Sequence, residues 1–197
     1  GLQLDSTFVL AGKTIKQSGN LKQLSLSTVF HTIKTGEKTN LPEIISTLRT
    51  ISNDAESQKY KRDNLPYFVP GLFKENYRNI ENLISTQIMI FDYDHLTQTQ
   101  LTKLRNTFMQ DKQVLACFVS PRGEGLKVVY WLDKPITSPE EFSRVYKYYA
   151  KQFNIDLGVK ADNTSDCARA CFFSFDPNIY VNPDATPLSV DVEFESV

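Results

Sequence analysis

The sequence predicts an α+β domain with a mainly antiparallel sheet and flanking helices. Two short apolar runs, Ile88–Phe91 and Val114–Val119, have the length and composition of buried strands. A third run, Leu126–Leu132, follows the second after a glycine-containing turn, which favours an antiparallel pair. Segments with helical spacing of apolar residues separate and follow these strands. With 197 residues, the chain has room for one domain or for two small lobes that share a core.

The composition is that of a globular protein, because 41% of the residues are hydrophobic and 23% are charged. The 22 lysines and arginines nearly balance the 23 acidic residues, which gives a net charge of -1. This balance excludes a protein that holds nucleic acid by bulk charge. Any contact with nucleic acid is therefore expected to be a local patch.

Cysteine usage and hydropathy predict a cytoplasmic protein. The 3 cysteines are odd in number, and Cys167 and Cys171 do not have the spacing of a common zinc ligand pair. Cys117 lies inside an apolar run, where a thiol behaves as a small buried hydrophobe. No stretch approaches the ~20 apolar residues of a membrane span, and the N-terminus lacks a basic region followed by an apolar one.

Residues 1–64 are predicted to be a helical and strand part of the same domain as residues 65–197. Leu24–Ile33 is amphipathic, and Pro42–Ile51 places apolar residues on one face, so both segments predict short helices. The stretch Asn53–Asn64 that follows is polar and charged, and no element is predicted for it.

The remaining elements are predicted to alternate between strands and helices. Leu65–Phe73 contains two prolines and a glycine, which indicates irregular structure or an edge strand. A capping box of Thr97 and Gln100 starts a helix after the first buried strand. A second helix is predicted over Ser138–Phe153, and Cys171–Phe175 is a further strand candidate.

Two carboxylates, Asp92 and Asp94, directly follow the first buried strand. Residues i and i+2 of a strand point to the same face, so the two side chains are expected to lie side by side. Such a pair suits Mg²⁺ or Mn²⁺, because Mg²⁺ takes oxygen ligands from one or two carboxylates and from substrate phosphates. The alternative is a solvated strand end in which Asp94 caps the segment that follows.

The turn between the second and third strands has the composition of a phosphate site. Ser120, Arg122, Gly123 and Gly125 offer a hydroxyl, a cation and a backbone rich in N–H groups. Lys127 shares a strand face with Gly125, so its ammonium is expected to reach the same place. The alternative is an ordinary hairpin turn with a solvated lysine.

A third cluster alternates carboxylates and bases between Asp156 and Arg169. Asx turns in a polar loop explain Asp162 and Asp166 by default. Arg169 lies against an apolar strand, where an unpaired guanidinium is costly, so we expect it to meet a carboxylate or a phosphate.

In chain order, the three clusters resemble the motifs of the archaeo-eukaryotic primase superfamily. The middle motif of that superfamily is a serine, a short basic turn with glycine, and then Gly-hydrophobic-His on a strand. Here Ser120, Arg122 and Gly125 stand at matching places. Lys127 replaces the histidine, and this is the one departure in the motif.

The third motif of the superfamily is a hydrophobic residue followed by Asp, with a basic residue on a later strand. Ile155-Asp156 and Arg169 resemble this motif, and Asp166 is the competing match. The resemblance implies that three acidic residues hold the metal ions, namely Asp92, Asp94 and Asp156. It implies that the triphosphate is received by Ser120, Arg122, Gly123, Gly125, Lys127 and Arg169.

More closely, residues 65–187 resemble the VirE N-terminal-domain family, found in primase-helicase-like proteins of bacterial mobile elements. Three sequence segments carry this resemblance, namely Phe-Asp-Tyr-Asp-His at 91–95, Ser-Pro-Arg-Gly-Glu-Gly-Leu-Lys at 120–127 and Ser-Phe-Asp-Pro-Asn-Ile-Tyr-Val-Asn-Pro at 174–183. It implies a primase-polymerase-like core fused to helicase-like or other domains. We therefore expect the chain to be a fragment of a longer protein.

The resemblance implies a nucleotidyltransferase module that makes or extends primers during replication of a plasmid or mobile element. Its ligands would be nucleoside triphosphates, Mg²⁺ or Mn²⁺, and single-stranded DNA that this domain alone binds weakly. Two alternatives stay open. One is a module of the same fold that binds nucleotide or DNA without turnover, which the Lys127 departure favours. The other is a structural interaction domain in which the three clusters lie apart in space.

Overall fold

The structure is a computed structural model that describes residues 2–193. These residues form two antiparallel sheets and five α-helices, which confirms the predicted α+β class and the mainly antiparallel sheet. None of the described helices combines the length and the apolar content that crossing a membrane requires.

Nine strands make up the two sheets of the described residues. In chain order they are β1 (Phe8–Gly12), β2 (Lys22–Ser25), β3 (Tyr67–Val69), β4 (Leu72–Phe73), β5 (Leu83–Tyr93), β6 (Val114–Val119), β7 (Leu126–Ile136), β8 (Cys171–Phe172) and β9 (Tyr180–Val181). The four-stranded sheet has the order β2-β1-β3-β8, and the five-stranded sheet has the order β4-β5-β7-β6-β9. The smaller sheet thus combines β1 and β2, from the N-terminal part of the chain before residue 65, with β3 and β8, which follow it.

The helices pack on both faces of the larger sheet. They are α1 (Leu26–Thr35), α2 (Leu41–Leu48), α3 (Asp54–Asn64), α4 (Gln98–Gln110) and α5 (Pro139–Leu157). Apolar residues of α4 and α5 share one core with the larger sheet. Those of α1 and α2 share a second core with the opposite face of that sheet and with the smaller sheet.

Strand β5 is buried on both faces. The alternation of its side chains between the two faces decides where Asp92 points. Phe91 and Tyr93 belong to the core under α4 and α5, whereas Ile88 and Ile90 belong to the core under α1 and α2. Because successive residues of a strand face opposite sides, Asp92 lies on the face of Ile88 and Ile90. It is therefore directed towards the N-terminal part of the chain.

Several local predictions are confirmed. The capping box forms, with the Thr97 side chain accepting from the N–H of Gln100 and the Gln100 side chain accepting from the N–H of Thr97. β6 has the predicted bounds, and β7 runs antiparallel to it. The helix predicted from Leu24 begins at Leu26, because Leu24 belongs to β2.

The main addition is α3, which covers the polar stretch for which no element was predicted. The Asn53 side chain caps this helix by accepting from the N–H of Glu56, and Lys61 and Arg62 stand in its last turn. Ser57 is its one buried residue, so the helix has no apolar stripe to reveal it. The cap and the charges, which suit the helix dipole, were the available signal.

Two predicted boundaries at the C-terminal side are wrong. Helix α5 continues past Phe153 to Leu157, where Gly158 ends it with a φ of 69°. Glycine adopts this left-handed conformation without the cost that other residues incur, which explains the stop. Strand β8 contains two residues, so most of the segment Cys171–Phe175 is irregular.

Candidate active site

A pocket of about 250 Å³ opens where β5 ends and the turn between β6 and β7 begins. Its lining includes six predicted site residues, namely Asp92, Asp94, Ser120, Arg122, Lys127 and Arg169. The structure adds Asp162, His95, and Gln58 and Lys61 of α3. Carboxylates and cations from distant parts of the sequence therefore meet in one place.

Asp92 on β5 forms an ion pair with Lys127 on β7. The two residues are direct partners in the antiparallel register, and Lys127 Nζ donates to Asp92 Oδ1 at 2.9 Å. The side chains are 9% and 18% exposed, for Lys127 and Asp92 respectively. Burial is the largest single influence and lowers the pKa of Lys127, but the attraction and hydrogen bond of Asp92, together with the charges of Cys171 and Asp94, raise the pKa above its ordinary value. The ammonium is thus charged at neutral pH and is engaged by the first carboxylate of the motif.

Asp162 reaches the pocket because the segment after α5 runs along the edge of β5. The N–H of Asp162 donates to the carbonyl of Asp92 at 2.8 Å, and the Thr164 hydroxyl donates to the carbonyl of Ile90 at 3.2 Å. The Tyr146 hydroxyl of α5 donates to the carbonyl of Asp162 at 2.5 Å. These three bonds fix the backbone that carries the third carboxylate.

Asp162 and Asp94 form a close carboxyl pair. Burial, a hydrogen bond with Asp94, and repulsion from Asp94 and Asp92 raise the pKa of Asp162 to about 6. The Arg169 guanidinium opposes this rise by a smaller amount. Two neighbouring carboxylates that repel each other are stabilised when a proton or a cation binds between them.

Replacing Asp162 by asparagine is expected to stabilise the metal-free protein at pH 7 and not at pH 4. The folded-state pKa is raised, so the folded chain holds this proton more tightly than the unfolded chain, and the resulting stability is lost as pH rises from about 4 to about 6. The amide of the introduced asparagine keeps a hydrogen-bond donor for Asp94 at every pH. Thermal unfolding with a chelator, at both pH values, measures the effect, and Asp156→Asn is the control. A lower melting temperature for Asp162→Asn than for the parent at pH 7 would contradict the expectation.

The two other candidates for the third acidic position lie elsewhere. Asp156 is exposed in the last turn of α5, next to Ile155, whose residue surface is 69% exposed, and it does not line the pocket. The helix continues through Ile155 and Asp156 instead of giving way to a strand, so this pair differs in local structure from the motif that it resembles. Asp166 caps the N–H of Ala168 with Oδ1 at 2.8 Å and lines a neighbouring groove. Gly158, which stops the helix, was the sequence signal that the chain turns only after Asp156.

The turn from Ser120 to Gly125 is closed by its own backbone. The N–H of Ser120 donates to the carbonyl of Gly125, and the N–H of Gly123 donates to the carbonyl of Ser120, both at 2.9 Å. Gly123 has a φ of 81°, which favours glycine. Gly123 and Gly125 thus shape the turn, while Ser120 and Arg122 line the pocket.

Replacing Gly125 by alanine is expected to cost about 1–3 kcal/mol of stability and to weaken ligand binding in the pocket. An added Cβ would lie 2.6 Å from the carbonyl oxygen of Tyr93 and 2.8 Å from Asp94 Oδ1, so the end of β5 has to move. Gly158→Ala is the control, because its φ of 69° penalises alanine while no atom lies within 4 Å of the added Cβ, so stability falls without a change in the pocket. Thermal unfolding and calorimetry with Mn²⁺ and a triphosphate measure the two effects. Equal ligand affinities for the two variants would show that Gly125 does not set the pocket.

The N-terminal part of the chain holds the turn in place. Arg122 Nη1 contacts Asp54 Oδ1 at 2.7 Å, at the start of α3, and Arg49 Nε donates to the carbonyl of Pro121 at 3.1 Å. The Asp54 side chain is 88% exposed, so this ion pair is open to competition from water and from anions. Arg122 therefore lines the pocket with a weakly held guanidinium.

Helix α3 supplies a cation that the sequence reading missed. Lys61 lines the pocket, and its Nζ lies 5.9 Å from the ring centroid of Phe172. Burial lowers the pKa of Lys61, and attraction to Asp94 offsets part of this effect.

Arg169 donates from Nη1 to the carbonyl of Asn163 at 2.9 Å, and among the described residues no ion pair is found for it.

The donor set fits Mg²⁺ or Mn²⁺ only in part. Among residues 2–193, no group of three or more His, Cys, Asp or Glu side chains is arranged to hold a metal ion. Asp94 and Asp162 nevertheless offer two hard oxygen donors whose mutual repulsion a cation would relieve, and Mg²⁺ typically uses one or two carboxylates together with phosphates and water. Asp92 also lines the pocket, but its Oδ1 accepts from Lys127, whose positive charge opposes a metal ion beside it.

Comparisons with known proteins show a family match that contains most of the pocket. The model of the family described as "BT4734-like, N-terminal domain" matches residues 60–181, which include Lys61 and the pocket from Asp92 to Phe172. The AEP domain of the cyanophage S-2L primase-polymerase (PrimPol) aligns with 10% identity and a TM-score of 0.48, covering 94% of this chain and 85% of that chain. The polymerase domain of Mycobacterium tuberculosis ligase D, in complex with DNA, aligns with 12% identity and a TM-score of 0.40, covering 59% and 49%. No curated protein matches the sequence.

Proposed function

Since the chain belongs to the BT4734-like N-terminal domain family, a VirE N-terminal-like family, we propose that it is a metal-dependent nucleotidyltransferase module of the primase-polymerase type. Its substrates would be nucleoside triphosphates and the 3′ end of a strand on single-stranded DNA. The observation that carries the proposal is the pocket itself, in which Asp94 and Asp162 face Ser120, Lys61 and Arg169.

The proposed chemistry joins a 3′-hydroxyl to the α-phosphate of the triphosphate and releases pyrophosphate. Asp94 and Asp162 would hold the metal ion, which supplies positive charge next to the transferring phosphate when bound. Ser120 and the N–H groups of its turn would hydrogen-bond to the phosphates. Lys61 and Arg169 would neutralise the remaining charge and orient the chain of phosphates for in-line attack.

A primer-extension assay tests the proposal directly. The 197-residue chain, a primed single-stranded template and nucleoside triphosphates are expected to yield extended primer with Mn²⁺ or Mg²⁺, and none with a chelator. Ribo- and deoxyribonucleotides are supplied separately, so the preferred sugar is measured at the same time. Absence of extension under every metal and nucleotide condition would contradict the proposal.

The ion pair between Lys127 and Asp92 favours a second candidate, a module that binds nucleotide or DNA without turnover. The lysine ammonium neutralises a carboxylate that metal-dependent transfer would otherwise use. In that case calorimetry would show triphosphate binding while the extension assay shows no product. Triphosphate binding together with extension would exclude this candidate.

The setting that we propose is replication of a bacterial plasmid or mobile element in the cytoplasm, as part of a protein with further helicase-like domains. This proposal rests on the family alone. Expression of the full-length protein, followed by assays for primer synthesis and for strand unwinding, would test it. A full-length protein without a second enzymatic or DNA-binding domain would contradict it.

A further inference from the structure

The candidate active site continues into an open groove of about 640 Å³. The two cavities share four lining residues, namely Gln58, Arg169, Ala170 and Phe172. The pocket and the groove therefore adjoin at these residues. The groove runs between α3 and the segments around Ile15 and Ile80.

The groove is lined by more positive than negative charge, although the whole chain is nearly neutral. Arg62, Arg78 and Arg169 line it, against the single acidic lining residue Asp166, whose carboxylate already accepts the N–H of Ala168. Arg62 and Arg169 are exposed. Three cationic side chains thus line one groove, and cations of this kind bind the phosphates of a single strand.

Arg78 holds the wall of the groove. Its guanidinium donates to the Tyr67 hydroxyl at 3.0 Å, to the carbonyl of Ile15 at 3.2 Å and to the carbonyl of Ala168 at 3.3 Å. It also lies 4.8 Å from the ring centroid of Tyr67. Its charge therefore contributes to the groove, while its geometry is set by the protein and the groove is formed before a ligand arrives.

Apolar and amide side chains accompany these cations. Phe172 is half-buried, and Ile80 remains 44% exposed. Gln58 and Asn79 add donors and acceptors of the kind that meet base edges. Cations, an aromatic ring and amides along one groove are the combination by which proteins hold single strands, since bases stack on rings while phosphates meet cations.

We propose that this groove holds the single-stranded nucleic acid on which the pocket acts, with Arg62 at its phosphates and Phe172 under a base. The inference rests on the proposed function, because it takes the pocket as the place of reaction. The exposed face of α3 then forms one side of the groove that holds the strand. No helix was predicted from the sequence for this segment. An acidic peptide would use the cations and leave Phe172 without a role.

Fluorescence anisotropy with a labelled twelve-nucleotide oligo(dT), at low salt, tests the groove. Arg62→Glu is expected to weaken binding about tenfold or more, because one phosphate contact is lost and a repulsive charge is added. Phe172→Leu keeps an apolar side chain in β8 and is expected to weaken binding about tenfold through lost stacking. Lys147→Glu makes the same change of charge at an exposed position of α5 that lines neither cavity, and its binding is expected to stay within about twofold of the parent.

Salt titration and competition complete the test. Arg62→Gln is expected to reduce the slope of log affinity against log salt by about 0.7, the value for one contact to a single strand. Equal weakening by Arg62→Glu and Lys147→Glu, or equal displacement of oligo(dT) by polyglutamate of the same charge, would overturn the inference. The inference would also be overturned if the unmodified protein binds triphosphate with Mn²⁺ but does not bind oligo(dT). That result would leave nucleotide binding in the pocket intact. Retained triphosphate binding in Arg62→Glu, measured by calorimetry, separates a failure of the groove from a failure of the pocket.

Discussion

Replacing Asp94 or Asp162 by asparagine is expected to lower nucleotide incorporation about 1000-fold or more. Each change removes one of two carboxylate ligands from the proposed metal site, and metal ions contribute several kcal/mol to the stabilisation of charge in such transition states. Asp94 and Asp162 line the same pocket and interact strongly enough to raise the pKa of Asp162, so the two variants should behave alike. Primer extension and calorimetric Mn²⁺ binding measure the loss.

Asp156→Asn is the control for both variants, because it makes the same chemical change on the exposed end of α5. The family resemblance assigned the third acidic role to Asp156, whereas the geometry favours Asp162. Incorporation that survives Asp162→Asn but not Asp156→Asn would return the role to Asp156. Such a result would also require the end of α5 to rearrange, which hydrogen exchange of residues 153–162 would detect.

Replacing Lys127 by methionine is expected to destabilise the metal-free protein by about 2–4 kcal/mol, or about 5–15 °C in melting temperature. The substitution preserves most of the side-chain volume but leaves Asp92 without its cation, next to Asp94 and Asp162. Removal of one partner of a largely buried pair leaves an uncompensated charge, which is costly. Mn²⁺ should restore part of the lost stability and bind the variant more tightly than the parent, because Asp92 becomes available.

Two comparisons make this expectation specific. Lys134→Met breaks another ion pair, between Lys134 and Asp191 at 2.8 Å, whose side chains are 62% and 71% exposed, so the melting temperature should change little. Adding Asp92→Asn to Lys127→Met removes the uncompensated charge and should recover much of the stability. Similar losses for the two lysine variants, or no recovery in the double variant, would show that Lys127 acts through packing and not through charge.

The sequence by itself determined the features that depend on neighbours along the chain. The two buried strands, the capping box at Thr97 and the glycine turn at 120–125 follow from apolar periodicity and from turn and cap chemistry, which act within a few residues. The pair Asp92 and Asp94 and the phosphate-like turn were found in this way, and the structure brings them to one pocket. Helix α3 has the same kind of local signal in its cap, but its apolar pattern is too weak to stand out.

Only the tertiary structure decided which other side chains complete the pocket. Asp162 is brought there by hydrogen bonds from its own backbone and from Thr164 to the edge of β5, and Lys127 is brought to Asp92 by the register of two strands. Both arrangements join residues that lie far apart in the sequence. Periodicity and spacing describe how a segment folds, but contacts of this kind depend on how segments pack, and packing is set by the shape of the whole core.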